Sequence, residues 1–252
     1  MDDSVSRRHV LAGVAGTAAL GTGVVGHAGA RGASVTVATR NCYLGANLFR
    51  LLAAAAEGPA AIRETAGDLL ATVDTSHVAA RLDAAAAELA RTEPALVGVQ
   101  EAALIRTGPA DGEATDVRYD FRKTLLDRLA ARDRPYRVVA ATAGADLQVP
   151  ATVDGETRTV RLTDRDLLLA HESVPTESAT AATFDASLSL SRDDRSISVE
   201  RGYAVCEATV GGDPLTFCTT HLESASAETR ASQATELRDL LDLPERTSQT
   251  DM

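Results

Sequence analysis

Glu101 ends a short apolar run from Ala95 to Gln100. A carboxylate at a strand end can hold a hard cation such as Mg2+ through oxygen, leaving other positions for waters and a substrate phosphate. The same residue also suits an ordinary acidic loop. His221 ends a second run, Leu215 to Thr220, where a protonated imidazole would stabilise developing negative charge, most of all in a water-poor pocket. Its plainer role is to cap the loop before the next helix. Asn41 follows a third run, Ser34 to Thr39, and asparagine at a strand end is by itself a turn former. His77 and His171 lack such a setting and read as a helix N-terminal region and a strand end. The absence of Gly-x-Ser-x-Gly argues against a serine hydrolase, and the absence of Gly-Lys-Ser/Thr argues against a phosphate-binding P-loop.

The elements that must position these residues alternate between strand-like and helix-like stretches, as in a layered α/β fold. Ser34–Thr39 is β-branched and predicts a first core strand. Ser76–Thr92 places Val78, Leu82, Ala85 and Leu89 on one helical stripe, closed by Glu93-Pro94. Phe121–Ala131 repeats the helical period, and Tyr136–Thr142 supplies a strand after Pro135. Asp154-Gly155 between two β-rich stretches is a two-residue hairpin signal, and Leu167–Ala170 is a further strand. Tyr203–Val210 and Leu215–Thr220 flank Gly211-Gly212-Asp213 as another hairpin. Ala227–Leu241 predicts a helix that buries Leu237, Leu240 and Leu241. Thr176–Ser198, rich in Ser, Thr, Ala and Asp, reads as a surface loop. No internal repeat occurs.

Composition bounds the partners. The chain has a single lysine, Lys123, against 24 arginines, no tryptophan and a formal charge of −11. This suits adaptation to high salt or the codon bias of a GC-rich genome, and an acidic surface weakens attraction to polyanions at low ionic strength. Three cysteines exclude a disulfide scaffold and lack metal spacing. Cys206 and Cys218 lie symmetrically about Gly212. In a hairpin turning there, opposed α-carbons about 4.5–5.5 Å apart permit a bridge; burial as two small core residues is the alternative. Cys42 is left over and expected to be buried.

At the N-terminus, Ser6-Arg7-Arg8-His9-Val10-Leu11 leads into an uncharged, weakly apolar stretch ending at Ala28-Gly29-Ala30. It resembles a twin-arginine export signal, which implies residues 1–32 as signal and an extracellular or cell-surface protein without a stable membrane span. About 220 residues remain, enough for one core.

Three fragments carry a wider resemblance: Thr39-Arg40-Asn41, Val97-Gly98-Val99-Gln100-Glu101 and Thr219-Thr220-His221-Leu222-Glu223. Together they resemble the endonuclease/exonuclease/phosphatase superfamily. Cys42-Tyr43-Leu44-Gly45-Ala46-Asn47-Leu48 is similar to a segment of an exported branch, with Asn47 in place of an aspartate. The resemblance implies a four-layer α/β sandwich, two packed sheets flanked by helices, over residues 33–243. It implies hydrolysis of a phosphoester, in nucleic acid, lipid or a small diester, with Mg2+ or Mn2+. In it Glu101 binds the metal, Asn41 orients that carboxylate or a phosphate oxygen, and His221 lies near the scissile phosphate. Asp164-Arg165-Asp166 resembles a segment preceding a strand; its residues read as a salt-bridged turn. The superfamily's later Gly-Asp-x-Asn and Ser-Asp-His segments are not in this sequence, and 244–252 reads as a polar disordered tail. The expectation is therefore an impaired hydrolase with an incomplete second sheet, or else a non-catalytic fragment completed by another chain.

Overall fold

The computed structural model describes residues 9–14, 24–30, 33–192 and 195–242. Arg7, Arg8 and the segment 244–252 lie outside the described residues. The chain opens with β1 (His9–Val14), β2 (Val24–Ala30) and β3 (Ala33–Asn41), then three helices, α1 (Phe49–Glu57), α2 (Pro59–Thr75) and α3 (Val78–Thr92). β4 (Leu96–Gln100), β5 (Leu104–Pro109) and β6 (Asp116–Asp120) precede α4 (Phe121–Ala130). A long hairpin follows, β7 (Tyr136–Val153) and β8 (Glu156–His171), turning at Asp154-Gly155 as its sequence predicts. The rest is β9 (Thr176–Thr183), β10 (Leu188–Arg192), β11 (Arg195–Val199), β12 (Gly202–Val210), β13 (Asp213–Thr220) and α5 (Ala227–Leu240).

The larger sheet runs β2-β3-β4-β8-β5-β6, with β7 paired along β8, and the second runs β1-β13-β12-β9. β10 and β11 form a separate ribbon. Thus β1 and β2, both inside the segment read as an export signal, extend one sheet each.

Three apolar clusters define the layers. The first lies between the larger sheet and helices α2, α3 and α4, and contains Leu70, Leu82, Leu89, Val97, Val99, Phe121 and Leu125. The second lies between the sheets: Val37, Leu96 and Leu168 meet Ala204, Cys206, Leu215 and Phe217. The third joins the outer face of the second sheet to α5 through Cys218, Leu222 and Leu237. The order helices, sheet, sheet, helix is the expected four-layer α/β sandwich. All four residues of the predicted α3 stripe are buried. Helix ends follow local chemistry: the Asp120 side chain accepts from Lys123 N, and Ser226 from Thr229 N.

Several expectations are corrected. The stretch 176–198 read as a loop carries β9, β10 and β11. In α5 Leu237 is buried, but Leu240 is 50% exposed. The Cys206–Cys218 bridge is excluded by register. The β12–β13 turn holds two residues, Gly211 and Gly212, both at positive φ, so Val210 opposes Asp213 and Cys206 opposes Phe217. Cys218 opposes Val205 instead, and adjacent residues of a strand point to opposite faces. One thiol therefore enters the inter-sheet core and the other the α5 core, and both are free.

Candidate functional site

The ends of β3, β4 and β13 meet at one edge of the sandwich. β3 and β4 are parallel neighbours with Asn41 opposite Gln100, so Asn41 and Glu101 leave the sheet side by side. Glu101 then adopts φ 56°, in the left-handed region, which is uncommon for a residue with a side chain and concentrates at functional sites. Its carboxylate is held from two directions. Asn41 Nδ2 donates to Oε1 at 2.8 Å, and Leu44 N donates to Oε2. Asn41 Oδ1 accepts Tyr43 N at 2.7 Å, so the asparagine forms its turn and positions the carboxylate at once. Arg81 braces that loop by donating to the carbonyls of Cys42 and Tyr43, each at 2.7 Å.

His221 follows β13 and approaches from the second sheet. Its Nε2 lies 4.0 Å from Glu101 Oε1 and its Nδ1 3.9 Å from Asp166 Oδ1. Burial and the charge of Arg201 push its pKa down to about 4, against the opposing pull of Glu101 and Glu223. The imidazole is therefore neutral at neutral pH, and these approaches are not ion pairs. This corrects the expectation of a protonated imidazole.

The site also contains residues whose role the sequence did not announce. Asp164-Arg165-Asp166 is not a turn but the middle of β8. Arg165 reaches away, to Ala102 O at 2.8 Å and Asp120 Oδ1 at 2.6 Å. Asp164 and Asp166 turn the other way and are buried. Asp166 Oδ1 accepts Glu101 N at 3.2 Å. Burial first, then the Glu101 charge, raises the Asp164 pKa to about 6. Burial and Asp164 raise that of Asp166. Among the described residues Asp164 Oδ1 has no hydrogen-bond partner. The signal for this pair was available: two acids at i and i+2, opening directly into Leu167-Leu168-Leu169, share one face of a strand. His77 caps α3 at its N-terminus and His171 ends β8, both as read from sequence.

Among the described residues no group of three or more His, Cys, Asp or Glu side chains is arranged to hold a metal ion. Among those residues no helix is long and apolar enough to cross a membrane. Chemically, the cluster offers oxygen donors beside one neutral imidazole and one arginine, in a largely buried setting.

No family model and no curated protein sequence matches the chain. Among solved structures it is similar to an endonuclease/exonuclease/phosphatase family protein from Leptotrichia buccalis C-1013-b, with 13% identity and a TM-score of 0.42 over 68% of this chain and 56% of that one. It is also similar to two structures of TDP2 from Caenorhabditis elegans, with 15% and 14% identity and TM-scores of 0.34, over 66% of this chain and 36% of those. The chain spans 36% to 56% of the length of these structures. The likeness is distant, and it is one of architecture alone.

Proposed function

We propose that the chain is a divalent-metal-dependent phosphoester hydrolase acting at the cluster of Asn41, Glu101 and His221. The observation that carries this reading is the convergence of these three residues from three separate strand ends onto one carboxylate, with Asp164 and Asp166 buried behind it. A hard cation fits the donors present. Each Glu101 oxygen accepts one hydrogen bond, which leaves further lone pairs, and Asp164 Oδ1 is unpartnered. Mg2+ commonly takes only one or two carboxylates and completes its shell with water and phosphate, which accords with the lack of a larger ligand group. Bound there, Mg2+ or Mn2+ would supply Lewis-acid polarisation of a phosphoryl oxygen.

The chain's own residues divide the remaining work. Asn41 fixes the rotation of the Glu101 carboxylate. His221, neutral and donating, places a hydrogen bond where negative charge develops on the phosphoryl oxygens. Burial of Asp164, Asp166 and His221 keeps the local dielectric low, so each of these interactions is stronger than in water. Substrates in this reading are nucleic acids, lipids or small phosphodiesters, and the charge of −11 weighs against a long polyanion at low salt. Export by the twin-arginine route belongs to the same proposal and rests on the Ser6-Arg7-Arg8 segment.

The test is hydrolysis of bis(p-nitrophenyl) phosphate at high salt with and without Mg2+. Turnover that needs the cation and disappears in Glu101→Ala is the expected result. A folded protein with no cation-dependent turnover on any diester would sink the hydrolase and favour a non-catalytic module.

A further inference from the structure

Arg201 precedes β12 and lies beside His221, although neither of the motifs around Glu101 and His221 includes it. Its Nη1 is 3.3 Å from His221 Nδ1. Its Nε donates to Glu223 Oε2 at 3.4 Å, and Nη1 lies 4.0 Å from Asp164 Oδ2. Glu223 is completely buried and itself pinned: Oε1 accepts Ala225 N at 2.7 Å, and its backbone N–H donates to Gln233 Oε1 at 2.8 Å. The guanidinium is thus fixed by a carboxylate that cannot easily move.

A guanidinium has five donors and no acceptor. The contact with His221 Nδ1 can be a hydrogen bond only if that nitrogen presents a lone pair. A neutral imidazole then carries its proton on Nε2, the nitrogen that faces Glu101 Oε1. The nearby Asp166 carboxylate does not reverse this, because at 3.9 Å it is too far from Nδ1 for a hydrogen bond. We propose that Arg201 is a positioning residue that locks His221 in its Nε2–H tautomer, so that the imidazole serves as a hydrogen-bond donor toward the phosphoester and not as a base toward water. This rests on the hydrolase reading for its consequence, but not for its geometry.

The experiment is long-range 1H–15N correlation NMR on protein labelled at histidine, without metal or substrate, at about pH 7.5. The His221 signal is identified by its loss in His221→Asn. The wild-type protein is expected to show His221 as a single Nε2–H tautomer, and Arg201→Gln to show a mixture with substantial Nδ1–H. Arg201→Lys, which keeps a donor-only cation, should restore the wild-type pattern in part. On a diester substrate, Arg201→Gln should lower kcat about 10- to 100-fold with little change in KM. An Nδ1–H tautomer in the wild type, or one unchanged in a folded Arg201→Gln protein, would overturn the proposal. If Arg201→Gln fails to fold, the wild-type spectrum still decides. Because the tautomer is read without turnover, a catalytically silent chain tests Arg201 as well as an active one.

Discussion

Gln100 Nε2 donates to Thr219 Oγ1 at 2.9 Å across the gap between the two sheets. The other end of the same amide, Oε1, accepts Thr39 Oγ1 at 3.2 Å. One buried side chain therefore ties together the three strands that deliver Asn41, Glu101 and His221. Directly beneath, a Cβ on Gly98 would fall 2.2 Å from Thr219 Oγ1, so the sheets approach closely because this position has no side chain.

Gly98→Ala must push the sheets apart at the site, and overpacking of this kind costs about 1–3 kcal/mol. Gln100→Leu instead leaves the buried Thr219 hydroxyl without its donor, at about 1–3 kcal/mol. Urea unfolding should show both losses as lower midpoints. A Gly98→Ala protein as stable as wild type would mean that this interface is loosely packed.

Asp164 gives a prediction in the opposite direction. Its folded pKa, about 6, lies above the ordinary 3.8. The fold therefore prefers the protonated acid, and the associated stability is present below pH about 4 and lost as pH rises through about 6. Asp164→Asn removes a buried, partly unpaired charge, and should stabilise the metal-free protein by about 1–3 kcal/mol at pH 7. At pH 4 the gain should vanish. Equal gains at both pH values would show that ionisation of Asp164 is not the cause. Lost activity in the same variant would mark a stability cost kept for function.

Much of this was legible in the sequence where a local pattern sets the outcome. The α3 stripe, the Asp154-Gly155 turn and the ends of β3, β4 and β13 follow from period and turn chemistry. The Asp164/Asp166 pair was overlooked because a charged triplet reads as a turn, although its i, i+2 spacing fits one strand face; the pairing of Asp166 with Thr142 of β7 places it inside β8. Arg201 had no pattern of its own; its role comes from Glu223 and His221 across the β12–β13 hairpin. The helices α1 and α2 were not anticipated: α1 is short and buries only Ala54, but α2 buries Ala66, Leu69, Leu70 and Val73 at helical spacing, a stripe that its sequence did carry. The bridge between Cys206 and Cys218 failed by one residue of register, which in a strand exchanges the two faces.

The thiols supply a pH prediction. Burial raises the pKa of Cys42 and Cys218 to about 12 and that of Cys206 to about 11, from 9.0. The Tyr136 phenol, buried and donating to Pro94 O at 2.6 Å, rises to about 12 from 10.0. All four groups stay protonated in the fold at pH values where the unfolded chain has ionised. Their stability is therefore complete below pH about 9 and falls as pH climbs toward 12. An aromatic disulfide reagent at pH 8 should leave the native protein untouched and titrate three thiols after denaturation. Rapid native reaction would place a thiol at the surface.

Gln233 joins α5 to the site through a pair of hydrogen bonds. Its Oε1 accepts Glu223 N and its Nε2 donates to Ala186 O, each at 2.8 Å, and the side chain is fully buried. Gln233→Ala strands the buried Glu223 N–H, at about 1–3 kcal/mol, and removes the donor to the partly buried Ala186 carbonyl, so thermal unfolding should come several degrees earlier. Because Glu223 holds Arg201 through Oε2, the same change frees the guanidinium beside His221. The variant should lose hydrolysis beyond what its stability explains at a temperature where it is still folded. Gln233→Glu removes the donor to Ala186 but keeps the acceptor for Glu223 N, so it should be destabilised while retaining more activity than Gln233→Ala. Equal activity in the two variants would show that α5 supports the fold without setting the geometry of His221.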